Sequence, residues 1–328
     1  MMRHAAPRRG FTLIEILIVI GIIAVLASLL VVTIPKITRS MKNTETITDI
    51  AQISNAIGTY KSKMGVGYIP SGGGGTAGSF RLCSSYVDKN GAILNWPEVV
   101  YLKQVFPQMN LSDNGLRIGK AGSFVMNDQG GAVPNGVPSV PMLQLDGNQT
   151  LVFFLTGGPP TELQGFSTNR TQPFTKLGNA NENRLGPFVD FPLKRYAGGA
   201  AAVSSFRAST NASQNEDGAA SLLDPRGAPY AYFAFSTSTN TYMTTSYVYR
   251  GQTVTPYMET ATKAYNPKGF QLISPGDNAL DDATSPVGLV GFGAGGATWV
   301  PGAGEYAEGK GGADDLSNFN GGMLITKN

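Results

Sequence analysis

From Phe11 to Ile34 the chain is apolar except for one formal charge, Glu15. No other feature constrains the fold so strongly. The run has the length of a membrane-spanning helix, about 20 residues or more. A secretory signal's apolar stretch is shorter, about 7–15 residues, and ends in a small-residue cleavage site. Here Gly10 stands before the run instead. Processing is therefore expected on the cytoplasmic side, with the apolar helix kept in the product. A carboxylate at a bilayer centre costs about 2.5–3.5 kcal/mol even on lenient scales. Glu15 thus calls for a compensating partner. Arg3, Arg8 and Arg9 precede the run, and Lys36, Arg39 and Lys42 follow it. Basic residues on both sides leave the orientation open.

The helical pattern continues beyond the apolar run. In "MKNTETITDIAQISNAIGTYKSKMG", Ile47, Ile50, Ile53 (or Ser54), Ile57 and Tyr60 recur at three-to-four spacing. Lys42, Glu45, Asp49, Gln52 and Lys61 fall on the opposite face. This reads as an amphipathic helix laid on a globular domain, ended by Gly65 and Gly67. One helix from Phe11 to Met64 would be about 80 Å long, with a kink or local break at Pro35.

Composition removes several function classes. A net charge of +3 is too weak to argue for nucleic acid. The only histidine, His4, lies ahead of the apolar run, so its removal would leave no Ser-His or Cys-His catalysis and no His-ligated zinc. The single cysteine, Cys83, excludes an internal disulfide and reads as a small buried apolar side chain. With 42 Gly and 20 Pro, about a fifth of the chain forms turns or breaks helices. A loop-rich domain of short strands is expected, without enzymatic activity.

"RRGFTLIEILIVIGIIAVLASLL" resembles the processing and assembly segment of type IV pilins and type II secretion pseudopilins. The resemblance implies that a prepilin peptidase cuts after Gly10 and methylates the amino terminus of Phe11. It implies that Glu15 pairs with the terminal amine of a neighbouring subunit during assembly. A buried carboxylate beside an ammonium loses much of its cost, and such a pair favours one axial stagger, as buried polar groups fix coiled-coil register.

The rest of the chain reads as follows. "IPSGGGGTAGS", Ile69 to Ser79, is a flexible connector by composition. In "NWPEVVYLKQVFP", Asn95 can cap a helix with Pro97 in its first turn and a stripe of Val99, Leu102, Val105 and Phe106. Residues 130–141 form a further Gly/Pro-rich loop. "DGNQTLVFFLTGGPP" leans to a short helix capped by Asp146 or Asn148 and stopped at Gly157, although "LVFFL" also fits a buried strand. "LLDPRGAPYAYFAFST" reads as a turn at Asp224–Gly227 feeding a strand from about Tyr230 to Phe235. "TTSYVYRG" and "GFQLISPG" read as two more strands of an antiparallel meander whose apolar face the long helix covers. The Asn-x-Ser/Thr sequences at Asn110, Asn148, Asn169 and Asn211 read as polar loop residues. Phe174, Phe188 and Phe191 read as core. "GFGAGG" at 291–296 lacks the surrounding βαβ pattern of a dinucleotide site and reads as a glycine loop.

"DPRGAPYAY", "GFQLISPG" and "ADDLSNFNGG" resemble elements of the major pseudopilin of type II secretion, while roughly 70–220 matches nothing in its short members. The resemblance implies one calcium ion between two C-terminal loops, with Asp314 and Asp315 matching the paired aspartates and Asp277 near a carbonyl-donating turn. Carboxylates in glycine-rich loops suit calcium; the same acids also read as solvated turn residues.

The expected fold is α+β: a pilin-like long N-terminal helix, transmembrane in its first half, packed on a small antiparallel sheet, with a loop-rich insertion. The expected divisions are a leader at 1–10, a span at 11–34, its amphipathic continuation at 35–65, an insertion at 66–221 and a C-terminal meander at 222–328. The expected role is a structural subunit of a secretion pseudopilus or pilus-like fibre. Its expected partners are a prepilin peptidase, other pilin or pseudopilin subunits and an inner-membrane assembly platform. Its expected place is the bacterial inner membrane, crossed once, with the C-terminal domain in the periplasm or an extracytoplasmic fibre. The alternative is a pilin-anchored adhesin module whose central insertion recognises an extracellular ligand.

Overall fold

The computed structural model describes residues 12–75, 78–88, 90–116, 142–157, 165–175, 183–197, 220–236, 241–243, 247–249, 252–254, 256–260, 263–266, 269–276 and 315–320. The chain forms two compact units, Met1–Thr44 and Glu45–Asn328. Helix α1 (Leu13–Met64) runs through 52 residues, and the helix is unbroken at position 35. After it come β1 (Phe80–Cys83), α2 (Pro97–Val105), β2 (Met142–Leu145) and α3 (Gly147–Thr156). β3 (Phe166–Ser167), β4 (Arg184–Leu185), a 3-10 turn at Leu193–Arg195, β5 (Tyr196–Ala197) and β6 (Ser221–Leu222) follow. The last strands are β7 (Ala231–Ser236), β8 (Thr241–Tyr242), β9 (Tyr247–Tyr249), β10 (Gln252–Val254), β11 (Met258–Thr260), β12 (Lys263–Ala264), β13 (Phe270–Ser274) and β14 (Leu316–Ser317). A long apolar N-terminal helix followed by small antiparallel sheets is the mixed α+β, pilin-like plan expected.

In the Glu45–Asn328 unit, α1 buries Thr46, Asp49, Ile50, Ile53, Ala56, Ile57 and Tyr60. These positions recur at three and four residues, so the period was legible, but its first turn was assigned to the wrong face. Ile47, expected inside, is 39% exposed, and Asp49, expected in solvent, is 6% exposed. A buried cation opposite Asp49 outweighs the loss of one isoleucine contact.

α3 is the core helix, with all ten of its residues buried. Its start carries a reciprocal cap: the Asp146 side chain accepts from the Gln149 amide at 2.8 Å, and the Asp146 amide donates to Gln149 Oε1 at 3.2 Å. Its end turns at Gly157, whose φ of 59° suits a residue without a side chain. Asn148 is not a loop residue. It is buried, donating to the Leu222 and Tyr230 carbonyls and accepting from the Leu222 amide. α2 starts at Pro97 as expected, but Trp96, not Asn95, is its N-cap, and no side chain caps it.

The main sheet is four-stranded in the order β14-β13-β7-β8, antiparallel throughout. This corrects the expected meander. β13 pairs directly with β7, and the strand expected from "TTSYVYRG" lies in a separate hairpin, β9 with β10. The reason lies in β7, whose six residues are all buried. A strand buried on both faces needs partners on both edges and cover on both sides. Alternation supplies the cover. Tyr232 and Ala234 join the large core with Ile53, Tyr60 and Phe154, whereas Ala231, Phe233 and Phe235 join a small cluster with Tyr242, Val254 and Tyr257. Phe174 and Phe191 are core residues, as expected, Phe188 is partly buried against the same core with its ring edge-on to Tyr60, and Cys83 is fully buried.

The glycine-rich stretch after α1 is not the flexible connector its composition implied. The amides of Gly73 and Gly75 donate to the Gly78 and Ser79 carbonyls at 2.8 and 3.0 Å, and the Gly74 amide donates to Glu98 at 2.7 Å. A Cβ on Gly73 would lie 2.3 Å from Glu98 Oε1. The glycines are there because a buried ion pair, Arg81 with Glu98, needs backbone wrapped against it. Arg81 also lies 3.7 Å above the Trp96 ring.

Candidate functional site

Two residue groups were expected to carry function. Of these, Gly10, Phe11, Asp277 and Asp314 lie outside the described residues, as do residues 291–296 and Asn211. Glu15 and Asp315 lie within them.

Glu15 stands in the first turn of α1, and Thr12 directly precedes that helix. Glu15 Oε2 accepts from both the Thr12 amide and the Thr12 hydroxyl, each at 2.8 Å. The Glu15 amide donates back to Thr12 Oγ1 at 3.3 Å. This is a capping box of the form Thr-x-x-Glu. It satisfies donors that a helix start leaves unpaired and sets a negative charge at the positive end of the helix dipole. The signal stands in the sequence as Thr12-Leu13-Ile14-Glu15, but the reading of Glu15 as an intermolecular partner passed over it. Glu15 is therefore held by its own chain through one oxygen, and Oε1 takes none of these bonds. The helix around it is apolar on every face: Leu13, Ile14, Ile16, Leu17, Ile18 and Val19 are all exposed. A helix apolar all round needs an apolar surrounding, and this one is long and apolar enough to cross a membrane.

Residues 6–31 match the prokaryotic N-terminal methylation motif. No curated protein and no solved structure matches the chain. The methylation motif is a prepilin-type signal, the mark of chains processed by a prepilin peptidase and assembled with other pilin subunits. With one apolar N-terminal helix, it suits a membrane-anchored, single-pass protein. The motif spans Gly10, Phe11, Thr12 and Glu15 together, so the capping box lies inside it.

At the other end, Asp315 is fully buried and leads into β14. The Tyr257 hydroxyl donates to its carboxylate. Tyr257 is held in turn by Gln271, which accepts from its amide at 2.7 Å and donates to its carbonyl at 2.8 Å. Asp315 is thus no solvated turn acid. The register Ser274↔Leu316 sets the C-terminal end of β13 beside the N-terminal end of β14. The chain leading to Asp277 and the chain leaving Asp314 are tied together there. Among the described residues, no group of three or more His, Cys, Asp or Glu gathers as metal ligands. Calcium takes six to eight oxygens, and of the three expected ligands Asp315 alone lies among the described residues.

Asp224 ties its own turn to β13. Its Oδ1 accepts from the Arg226 and Ala228 amides at 2.8 and 2.9 Å, closing the Asp-Pro-Arg-Gly turn. Its Oδ2 accepts from Ser274 Oγ of β13 at 2.7 Å. Burial pushes the Asp224 carboxyl above its ordinary range, and these hydrogen bonds and the Arg226 charge oppose that push.

Sequence reasoning missed one buried network altogether. Asp49 of α1 pairs with Arg195, which also reaches Glu45 at 3.4 Å and the Leu223 carbonyl at 2.8 Å. The Tyr230 hydroxyl donates to Asp49 at 3.1 Å, and Arg226 donates to Thr46 at 3.4 Å. Asp49 and Arg195 are 146 residues apart in sequence, so no local pattern announces the pair.

Proposed function

We propose that the chain is a structural subunit of a bacterial fibre, a pseudopilin of a type II secretion system or a pilin of a type IV pilus-like assembly. It performs no chemistry of its own. A prepilin peptidase cuts between Gly10 and Phe11. The mature chain then crosses the inner membrane once by α1 and carries its Glu45–Asn328 unit on the periplasmic side, until an inner-membrane assembly platform adds it to the fibre. One observation carries this reading: the methylation motif coincides with the all-round apolar first part of α1, whose lone acid is Glu15. In the assembled state Glu15 Oε1 receives the methylated amine of a neighbouring Phe11, while Oε2 keeps the Thr12 cap. Pairing offsets the burial of both charges.

Calcium belongs to the same proposal. Asp315 and Asp314, with Asp277, would hold it between the β13 and β14 ends, cross-linking two loops by oxygen ligands. The support is the pairing of those strand ends and the burial of Asp315.

The decisive experiment replaces the wild-type gene with Glu15→Ala. Membrane insertion should persist, since the span becomes more apolar. Incorporation into sheared fibres should be lost. Normal fibre incorporation without any wild-type subunit would refute the role given to Glu15.

A further inference from the structure

Folding sorts the Asn-x-Ser/Thr sequences of this chain. Asn148-Gln149-Thr150 is buried throughout in α3. The Asn148 side chain is spent on the Leu222 and Tyr230 carbonyls and the Leu222 amide. No enzyme reaches it in the folded state. Asn110-Leu111-Ser112 and Asn169-Arg170-Thr171 are presented differently. In both, the asparagine and the hydroxyl-bearing residue two positions on are exposed.

These two sequences lie far apart in the chain but in loops stitched to each other. The Asn110 amide donates to the Thr171 carbonyl at 2.8 Å, and the Phe174 amide donates to the Asn114 carbonyl at 3.2 Å. Gln172 Nε2 donates to Asp113 Oδ2 at 3.1 Å. Met109, Leu111 and Phe174 anchor the loops in the large core. The two asparagines therefore share one surface patch on a packed base.

Their side chains are held in the same way. Asn110 Oδ1 accepts from the Ser112 amide at 2.9 Å and from the Asp113 amide at 3.4 Å. Asn169 Oδ1 accepts from the Thr171 amide at 3.1 Å and from the Thr171 hydroxyl at 2.9 Å. A backbone amide only donates, so the limb of the side chain it meets is the oxygen. With Oδ1 turned to the backbone, Nδ2 occupies the other limb of an exposed side chain. An asparagine followed two residues on by a hydroxyl, in a surface loop, is the acceptor sequence for an N-linked sugar.

We propose that Asn110 and Asn169 are N-glycosylation sites, modified by a transferase whose donor is a sugar diphosphate, either lipid-linked or nucleotide-linked. Nδ2 attacks the anomeric carbon of the sugar. The N–C bond forms as the bond from that carbon to the diphosphate oxygen breaks. The diphosphate leaves with the electron pair, and one Nδ2 proton passes to a base of the transferase. Nothing is oxidised or reduced. Ser112 and Thr171 are positioning residues, read by the transferase through their hydroxyls. In the proposed fibre this face lies outward, because a bulky, solvated glycan cannot be packed between subunits.

The test is peptide mass spectrometry, with electron-transfer fragmentation to keep sugars attached, on the full chain purified from the cells that make it. Sugar is expected on Asn110 and on Asn169, and none on Asn148. Ser112→Ala should abolish the sugar on Asn110 while leaving that on Asn169, and Ser112→Thr should restore it. Thr171→Ala should do the reverse. Both residues are exposed, so the variants should melt as wild type does. An oligosaccharide confined to chains that begin at Phe11 marks the lipid-linked donor, and sugar on uncut chains as well marks the nucleotide-linked one. Three results would overturn the proposal: both peptides unmodified, whatever the first residue of the chain; sugar on Asn110 that survives Ser112→Ala; or sugar on Asn148 as abundant as on Asn110 and Asn169, which would mean that the fold does not select the sites.

Discussion

Glu15 and Asp49 are two acids on one helix that meet opposite solutions to the same problem. Glu15 sits among exposed aliphatic side chains and is satisfied locally, by the Thr12 amide and hydroxyl three residues away. Asp49 sits in a packed interior and is satisfied by Arg195 and Tyr230, brought from distant parts of the chain. An acid in a folded interior has its counter-charge supplied by the same chain. An acid on an apolar helix that awaits other copies can be capped by its own chain but not neutralised by it. Among the described residues Glu15 is held through one oxygen by Thr12, which leaves room for the assembly role proposed for it, whereas the Asp49 network is a structural one.

That contrast can be broken by experiment. The largest expected effect is on Asp49. Replacing Arg195 with Met leaves a buried carboxylate without its cation, and breaking a buried pair in this way costs about 3–5 kcal/mol. Chemical denaturation of the full chain in micelles should show that loss, and adding Asp49→Leu should recover much of it. A loss below about 1 kcal/mol would mean that water reaches Asp49, as for an exposed pair. Glu15→Ala, by contrast, should leave the same denaturation midpoint unchanged.

Asp224 gives the next effect. Asp224→Ala orphans two amides and the Ser274 hydroxyl, and each unsatisfied buried group costs about 1–3 kcal/mol. The turn and β13 should loosen together, seen as faster hydrogen exchange at the Arg226 and Ala228 amides. Asp224→Asn keeps the acceptor and removes the charge. The folded carboxyl titrates above its ordinary 3.8, so between that value and the raised one the folded state holds the extra proton. Wild-type stability should therefore fall, relative to Asp224→Asn, as pH rises through that window, and the difference should level off above it. Wild-type stability that instead falls, relative to Asp224→Asn, as pH drops through that window would contradict the burial of this acid.

Calcium should raise the melting temperature by a few degrees at saturating excess, since a ligand at a hundredfold over its Kd stabilises by about 2.7 kcal/mol. The clean variant is Asp314→Ala alone, because Asp315 is tied to Tyr257 and its loss would destabilise the fold with or without metal. Identical melting curves in calcium and in chelator would remove the metal from the proposal.

The smallest effect is at the cap. Thr12→Ala should cost about 1 kcal/mol of helix stability, confined to the first turn. Hydrogen exchange of the Leu13 to Glu15 amides in micelles should quicken, with the Glu45–Asn328 unit unaltered. Unchanged exchange would mean that the lipid-facing helix does not rely on its cap.

Local physics was legible in the residues themselves. The apolar run, its lone acid and the glycine before it pointed to a membrane helix of prepilin type, because hydropathy and a short motif need no knowledge of the rest of the chain. The helical period past the span, the Pro97 start of α2, the Asp146 cap with its Gly157 stop and the strands at 231–236 and 270–274 were readable for the same reason: each depends on neighbours within a few positions. Tertiary structure alone decided which side of the period faced inward at Thr46 and Asp49, since Arg195 comes from far along the chain. It alone turned the glycine stretch from a linker into the wrapping of a buried ion pair, set β13 against β7 in place of a meander, and drew Asp315 from a turn into the interior. At Asp49, at the glycine stretch and at Asp315 the deciding partner was a polar or charged group made available only by folding, and burial without that partner would have been prohibitive; at β7 it was apolar cover on both faces.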